Sequence, residues 1–276
     1  MGERRPLFTI RPSNGWTPLN VQELWRFRDL LGALALRDLK LRYRQTALGV
    51  IWVLLQPLLA AGIFSFVFGQ VAKLPSDGVP YLLFSFAGLL GWNLFSSILA
   101  KVSGCMVGNA GLISKVYFPR LLLPLSNVVS VVVDFVVAAA LMAVLMVIYG
   151  VGPSLSGVLL IFALLLLVAL SIGIGLIASA LAVPYRDVQY ILPVVTQILL
   201  YASPVAYSIS AVPAQHRWFY ELNPLTAPLE TIRASLLGTP FPPMFSMATS
   251  CIAAILFLIT GLFFFKRLEQ KFADVI

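Results

Sequence analysis

The segment from Ser210 to Pro243 reads SAVPAQHRWFYELNPLTAPLETIRASLLGTPFPP. It is too apolar for a solvated loop, and its prolines interrupt it too often for a membrane-spanning helix. Pro228 to Leu237 predicts a short helix that ends at Gly238, before a group of prolines that prevents continuation. Such backbone is tolerated at membrane depth only where it is buried in protein or lines a cavity. The segment therefore predicts a re-entrant or interfacial helical hairpin, with an ordinary loop packed on lipid headgroups as the alternative.

Long apolar runs lie on both sides of this segment. The chain has 276 residues, is 60% hydrophobic and 11% charged, and has a mean hydropathy of +0.95. An ordinary soluble domain is excluded, because such domains carry about 25% charged residues, and a run of about 20 apolar residues spans a bilayer. The predicted spans are Ala47 to Val71, Val79 to Ala100, Leu121 to Tyr149, Leu155 to Val183, Val188 to Ile209 and Met244 to Phe265. We expect an all-α integral membrane protein with six transmembrane helices and a single domain over residues 1–276.

The basic residues predict the orientation of these spans. The chain has 19 Lys and Arg: nine in residues 1–46, three in 101–120, one at Arg186 and three in the C-terminal tail. These sixteen lie on one side, and only Lys73, Arg217 and Arg233 lie on the other. Because basic residues concentrate in cytoplasmic segments, both termini are expected in the cytoplasm. The first 45 residues show no cleavable signal pattern, and the net charge of +8 follows membrane sidedness and does not indicate nucleic acid.

A second unusual apolar segment, Asn20 to Gln45, precedes the first predicted span. Asn20 and Glu23 resemble a helix-capping pair. At helical spacing, one sector is charged and the opposite sector is apolar. The charged sector holds Arg26, Asp29, Arg37, Lys40 and Arg44, and the apolar one Leu24, Phe27, Leu31 and Leu34. The pattern predicts an amphipathic helix along the cytoplasmic interface, serving either as a membrane anchor or as a platform for a cytoplasmic partner.

Catalytic and metal-binding patterns are not found in the sequence. It has no GxxxxGK[ST] motif to hold ATP phosphates, only one His, and two Cys far apart that predict buried thiols. Gly173 and Gly175 lie within an apolar run, where they favour close helix packing. Asp134 is the only carboxylate well inside a predicted span. Structural hydrogen bonding is favoured for Asp134 over a proton relay, since no intramembrane cation pairs with it in the predicted spans.

Two helical stripes mix aromatic and polar side chains. The second predicted span aligns Tyr81, Phe84, Gly88, Trp92 and Phe95, and the fifth aligns Tyr190, Val194, Gln197, Tyr201 and Ser208. Sugars stack their apolar ring faces on aromatic rings and direct hydroxyls to polar groups, so the stripes predict the lining of a sugar channel. Bundle packing combined with interfacial aromatic belts is the alternative.

Four spaced motifs carry a resemblance that covers nearly the whole chain. They are LRDLKLRYRQTALGVIWVLLQPLL at Leu36 to Leu59, NAGLISKVYFPRLLLPLSN at Asn109 to Asn127, PYRDV at Pro184 to Val188, and ELNPLTAPLETIRASLLG at Glu221 to Gly238. In this order they resemble polysaccharide-exporting permeases of the type 2 ATP-binding-cassette class. Members of that class export O-antigen, capsule polysaccharide or teichoic acid.

The resemblance implies a division of labour between two kinds of subunit. Two copies of this chain would form the channel in the bacterial inner membrane and assemble with two copies of a separate ATPase. ATP and Mg would be held by that ATPase, so the chain itself would be no enzyme and bind no cofactor. The N-terminal helix at 20–45 would lie against the ATPase, and residues 210–243 would form the gate. A coupling helix at 109–118 would contact the ATPase through Ile113, Lys115, Tyr117 and Phe118.

The substrate implied by the resemblance is a lipid-linked polysaccharide, with O-antigen as the first candidate and capsule or teichoic acid as alternatives. Its diphosphate would be attracted by Arg37, Lys40, Arg42 and Arg44. The sugar chain would pass along Tyr81, Phe84, Trp92, Phe95, Tyr190, Gln197 and Tyr201. Three other hypotheses stay open: a type 2 exporter of drugs or small lipids, a membrane enzyme acting on lipid-linked sugars, and an ion-coupled carrier dependent on Asp134.

Overall fold

The computed structural model describes residues 21–43, 51–152 and 157–269. Within these ranges the chain is helical and contains no strand, which confirms the all-α prediction. The α-helices are α1 (Val21–Arg26), α2 (Arg28–Tyr43), α3 (Ile51–Phe64), α4 (Tyr81–Gly108), α5 (Ala110–Ile113), α6 (Leu122–Tyr149), α7 (Gly157–Ala182), α8 (Val188–Ala202), α9 (Arg217–Leu222), α10 (Thr226–Leu237) and α11 (Met244–Glu269). A π-helix, Ser65–Val71, continues α3, and short 3-10 helices cover Ile209–Ala211 and Ala214–His216. The predicted cap Asn20, Arg44 and residues 47–50 of the first predicted span lie outside the described residues.

Among the residues that the structure describes, five helical segments are long and apolar enough to cross a membrane. They are Ile51–Val71, Tyr81–Gly108, Leu122–Tyr149, Gly157–Ala182 and Met244–Glu269. The remaining predicted span, Val188 to Ile209, is helical only over Val188–Ala202. Its helix ends because Ser203, which precedes Pro204, has the extended conformation that proline imposes on its neighbour (φ −114°, ψ 152°). Fifteen helical residues are about 22 Å long, which is shorter than the hydrocarbon core of about 30 Å.

Helix α4 is the centre of the bundle and packs against α3, α6, α7 and α10. Most of its side chains are buried, from Leu83 through Met106. The helix is longer than the sequence predicted and continues to Gly108. As a result Lys101, which the sequence analysis assigned to a connecting segment, lies inside α4, and its ammonium donates to the Ser130 hydroxyl of α6 at 2.8 Å.

Helices α7 and α11 approach each other at two glycines, Gly173 and Gly261. A Cβ atom added to Gly173 would overlap the backbone of Phe257, and one added to Gly261 would overlap the backbone of Gly173. Gly175 faces α4, where a Cβ would lie 2.8 Å from a methyl group of Val102. The packing role predicted for Gly173 and Gly175 is therefore confirmed. Glycines allow the helix backbones to come close enough for continuous van der Waals contact.

Helices α2 and α10 occupy opposite ends of the bundle. The predicted N-terminal helix is divided at Phe27 into α1 and α2, and α2 packs on α6 with Leu34 and Ala35 buried. Helix α10 packs against α4, α7 and α11, and each of its residues except Leu236 is buried or nearly so. It ends at Gly238, whose φ of +71° is the left-handed conformation that glycine adopts readily. The predicted short helix and its end are thus present.

We expect Gly173→Ala to destabilise the protein, because the added methyl group would force α7 and α11 apart. Overpacking of this kind costs about 1–3 kcal/mol, whereas glycine to alanine in an uncrowded helix gains up to about 1 kcal/mol. Gly62→Ala in α3 is the matched control, because no atom lies within 4 Å of its added Cβ. The melting temperatures of both variants are measured by thermal unfolding in detergent. Equal melting temperatures for the two variants would contradict the close approach at Gly173.

Candidate functional site

The first candidate site is a buried charge cluster on α10. Arg233 has no exposed surface, and its Nη1 donates to Oε1 of Glu230 at 2.8 Å. Its guanidinium carbon lies 4.0 Å from the centroid of the Phe84 ring on α4. An unpaired charge in such a place would be strongly unfavourable, so the carboxylate and the ring face both stabilise the guanidinium.

Arg233 also holds the non-helical chain that follows α8, residues 203–208, which we call the connector. Its Nη2 donates to the carbonyl oxygens of Pro204 at 2.7 Å and Val205 at 2.9 Å. The next carbonyl, at Ala206, accepts from the Tyr81 hydroxyl at 2.8 Å. These carbonyls have no helical partners, and buried backbone groups require a donor. Side chains from α4 and α10 therefore replace the missing helix hydrogen bonds.

Further polar contacts fasten both ends of the connector. Ser208 donates to Oδ2 of Asp77 at 2.6 Å, and Ser210 donates to Oδ1 of the same carboxylate at 2.9 Å. At the other end, Nδ2 of Asn223 donates to Oγ of Ser203 at 2.9 Å and to the carbonyl of Ala202 at 3.2 Å. The connector is thus attached to α4, to the loop before α4, to the residue that follows α9 and to α10.

The Tyr207 phenol lies within the connector and donates to the carbonyl oxygen of Tyr201 at 2.7 Å. Its hydroxyl also lies 3.0 Å from that of Tyr220. The phenol therefore links the connector to α8 and to α9.

Gly88 of α4 permits this arrangement. A Cβ at this position would overlap the carbonyl oxygen of Val205 and would lie 2.6 Å from Nη2 of Arg233. Any larger side chain would separate the connector from α4. Gly88 belongs to the predicted aromatic stripe, and its role there is to allow the connector backbone to approach α4 closely.

The structure corrects part of the predicted channel lining on α4. Phe84 and Phe95 have no exposed surface, and Trp92 is 5% exposed. Phe84 lies beneath Arg233, and Phe95 packs on Trp92 with ring centroids 5.7 Å apart. Tyr81 is half-buried, and its hydroxyl donates a hydrogen bond to the connector carbonyl of Ala206. The stripe is mainly the packing face of the central helix, because the same helical spacing suits a core face and a channel face equally.

The predicted lining residues on α8 remain accessible. Tyr190 and Tyr201 are 78% and 59% exposed, and Gln197 is also exposed. A cleft of about 720 Å³ separates α8 from α4, and the structure brings Trp92 and Gln197 together in it. The remaining polar lining is Ser96, Ser97, Ser103, Gln189 and Thr196. These residues were not predicted from the sequence, since serine, threonine and glutamine occur in many helices without any lining role.

The opposite end of the bundle carries the predicted coupling segment. It is helical only over Ala110–Ile113, which is shorter than the predicted helix at 109–118. Lys115 and Tyr117 are exposed and Ile113 is half-buried. Phe118 is only 5% exposed and packs in the core. The predicted contact role of Phe118 is therefore corrected: in this structure it anchors the segment to the bundle.

The predicted diphosphate-binding residues are only partly described. Nη2 of Arg37 donates to Oδ1 of Asn109 at 2.8 Å and lies 3.2 Å from Asp38. Lys40 is exposed. The side chain of Arg42 and the whole of Arg44 lie outside the described residues. Arg37 thus connects α2 to the start of the coupling segment, and this contact was not apparent from the sequence.

Polar side chains also connect α4 to α6 within the bundle. Asn127 of α6 donates to the carbonyl of Lys101 at 3.1 Å, beside the Lys101–Ser130 contact. A cation thus lies within α4 and contacts α6 one turn from Asp134, contrary to the expectation from the predicted spans. Cys105 is buried and Cys251 is half-buried, and no cluster suited to a metal ion occurs among the described residues.

Comparison with known proteins adds independent information. Residues 29–237 match the family described as ABC-2 type transporter. The chain is 28% identical over 249 residues to O-antigen export system permease protein RfbA of Klebsiella pneumoniae, covering 90% of this chain and 95% of the relative. It is 29% identical over 258 residues to the protein of that name in Myxococcus xanthus, and the match covers 93% of this chain and 98% of the relative. It is 25% identical over 244 residues to polysialic acid transport protein KpsM of Escherichia coli, and the match covers 86% of this chain and 93% of the relative.

We expect Arg233→Met to destabilise the protein by about 3–5 kcal/mol, because Glu230 and two connector carbonyls lose their partner in a buried site. The matched control is Arg217→Met: Arg217 also donates to a carbonyl after α8, that of Val212 at 3.1 Å, but it is exposed. Thermal unfolding in detergent compares them. Adding Glu230→Gln to Arg233→Met should recover part of the loss, and equal destabilisation by the two arginine variants would refute the buried cluster.

Proposed function

The chain belongs to the ABC-2 type transporter family, and we propose that it is the transmembrane subunit of an ATP-driven exporter of lipid-linked polysaccharide. One observation carries this proposal: similarity over at least 86% of the chain to relatives named for O-antigen export and for polysialic acid transport. Drugs and small lipids as substrates receive no support from these names. O-antigen is the first candidate substrate and a capsule-type polysaccharide is the second.

The proposed topology keeps six spans with both termini in the cytoplasm. Helix α8 together with the connector would complete the fifth span, because the connector's carbonyl groups are satisfied by protein side chains as a membrane interior requires. Helix α10 would be the re-entrant part of the gate segment at 210–243. Its burial and its internal Arg233–Glu230 pair support this position, since polar groups at membrane depth face protein or water.

ATP hydrolysis is assigned to a separate ATPase, two copies of which would assemble with a homodimer of this chain in the bacterial inner membrane. Lys115 and Tyr117 are exposed at the end of the bundle opposite α10 and would contact that subunit. The bond between Arg37 and Asn109 supports a common docking surface, because it joins the N-terminal helix to the coupling segment. A movement of the ATPase against either element would then reach α4 directly.

The proposed glycan route follows the exposed face of α8. Tyr190, Gln197 and Tyr201 present aromatic and amide groups there, and Trp92 and Gln197 both line the α4–α8 cleft. Lys40 is available to attract the diphosphate of the lipid carrier, while Arg37 already has a carboxylate and an amide oxygen as partners. Aromatic faces and amides together suit a polymer of sugars.

We expect Tyr201→Ala to reduce glycan export while the protein still accumulates in the membrane. Loss of one aromatic contact costs about 0.5–1.5 kcal/mol, which corresponds to about a two- to tenfold effect on affinity. Surface glycan is measured in a strain whose own permease gene is deleted, with Tyr149→Ala, at the far end of α6, as the control. Unchanged export would remove Tyr201 from the route, and failure of the unaltered chain to restore any export would refute the proposed function.

We expect Tyr117→Ala to lower ATP turnover coupled to export in the complex with the ATPase. Removing an exposed aromatic contact at an interface commonly costs about 1–2 kcal/mol, so assembly should weaken by about tenfold. The measurement is ATPase activity against ATPase-subunit concentration in proteoliposomes, again beside Tyr149→Ala. Substantial ATP turnover by the isolated chain would contradict the division of labour.

A further inference from the structure

Two cavities meet on one side of α4, toward its C-terminal end. The first is the α4–α8 cleft described above, and the second, of about 610 Å³, lies between α2, α4 and α6. Both volumes fall in the range of about 300–1,000 Å³ that is usual for small-molecule sites. The residues common to the two linings are Ala100, Gly104 and Gly108. Only this stretch of helix surface, which we call the small-residue face, separates the two cavities.

The glycines of the small-residue face are not explained by packing within the chain. An added Cβ at Gly104 or Gly108 would have no neighbouring atom within 4 Å among the residues described. At Gly91 of the same helix, by contrast, an added Cβ would lie 2.9 Å from the side chains of Leu229 and Ile232. Glycine in a helix interior is less favourable than alanine. The open space at Gly104 therefore indicates that something outside this chain needs it.

Unused polar groups on the cleft side identify what that occupant offers. Trp92 is 5% exposed and lines the cleft, and its indole N–H makes no hydrogen bond to the part of the chain that the structure describes. Within the same ranges, the side chains of Ser96, Ser97, Gln189 and Gln197 also have no protein partner. Unpaired donors in a membrane span are costly. The cleft thus suits an occupant rich in oxygen atoms.

The charged groups of the second cavity are already engaged. Nη2 of Arg37 donates to Asn109 at 2.8 Å and lies 3.2 Å from Asp38. The ammonium of Lys101 donates to Ser130, also at 2.8 Å. Among the described residues, no charged side chain lines the α4–α8 cleft. Sugar hydroxyls, which donate and accept hydrogen bonds without carrying a charge, can pass through both cavities and leave these contacts in place.

A second copy of this chain is the other occupant that the small-residue face could accommodate. Small residues four apart allow helices to pack closely in a membrane. The polar lining argues against such packing, because an apolar helix seated in the cleft would leave Trp92, Gln189 and Gln197 without partners. A sugar chain would satisfy these donors and acceptors.

We propose that Gly104, with Gly108 beside it, sets the width of the glycan entrance. The missing side chains give sugar units the clearance to move from the α2–α4–α6 cavity into the α4–α8 cleft, where Trp92, Gln189 and Gln197 bind their hydroxyl groups. This inference rests on the proposed function. It adds to that function the point of entry and the residue that limits its width.

Variants of Gly104 test the clearance. In vesicles that contain the chain with its ATPase, Gly104→Leu should lower the rate of lipid-linked O-antigen export by about five- to 150-fold, the factor that corresponds to overpacking by one side chain. Gly104→Ala should lower it less. The melting temperature of neither variant should fall, because the added atoms enter open space.

Gly62→Leu in α3 is the matched control for this measurement. An added Cβ at Gly62 also has open space around it, but Gly62 lines neither cavity. It should export glycan at the rate of the unaltered chain. Unchanged export by Gly104→Leu would overturn the proposal. A loss of melting temperature or of crosslinked dimer in Gly104→Leu alone would identify a contact with a second copy and would overturn it equally.

Thiol protection tests the occupant directly. Gly104→Cys and, as the control, Gly157→Cys are treated with N-ethylmaleimide in the complex with the ATPase, and mass spectrometry counts each labelled peptide separately from Cys105 and Cys251. Gly157 is exposed at the start of α7 and lines neither cavity. Lipid-linked O-antigen at about ten times its apparent KM should slow labelling about tenfold at position 104 only. Equal protection at both positions, or equal protection by polyprenyl diphosphate without sugar, would overturn the proposal.

The outcomes separate the two levels of inference. If the unaltered chain exports glycan and the Gly104 variants behave as their controls do, the entrance is elsewhere and the proposed function stands. If the unaltered chain exports no glycan, the proposed function fails and the entrance proposal fails with it.

Discussion

Where a chain stops being helical inside a membrane protein, its backbone carbonyl groups lose their helical hydrogen-bond donors and need others. In this protein Arg233 supplies such donors. Its guanidinium bonds the carbonyls of Pro204 and Val205 while Glu230 balances its charge. Pro204 makes the break in α8 unavoidable, since the residue before a proline takes an extended conformation. The buried position of α10 and the glycine at Gly88 both serve this requirement, because they bring Arg233 and α4 close to the connector.

The central helix α4 performs two physically different tasks on different faces. One face is apolar and aromatic and packs against α7 and α10, where Phe84 supports the guanidinium of Arg233. Other faces carry Ser96, Ser97 and Gly104, which border the α4–α8 cleft. Because a single rigid helix contacts the connector near one end and Arg37 through Asn109 at the other, a movement at either end would be transmitted along it.

How far the sequence predicts this arrangement depends on the range of the interaction concerned. Apolar run length predicted the five long helices, and Gly238 with the prolines after it predicted the end of α10, because both effects act within a few residues. The aromatic stripe of α4 was misinterpreted at Phe84 and Phe95, since helical periodicity identifies a shared face and does not identify what covers it. Arg233 was counted only as a basic residue on the outer side. Its opposite charge Glu230, three residues earlier in a largely apolar predicted helix, was nevertheless visible in the sequence.

The sequence by itself determined the helical class, the membrane environment and, through four spaced motifs, the transporter family. These properties depend on composition and on neighbours along one chain segment. Only the tertiary structure decided that Arg233 bonds the connector 28 residues away, that Phe118 is buried, and that Trp92 and Gln197 line one cleft. Such contacts depend on which helix faces meet, and that is set by the packing of the whole bundle.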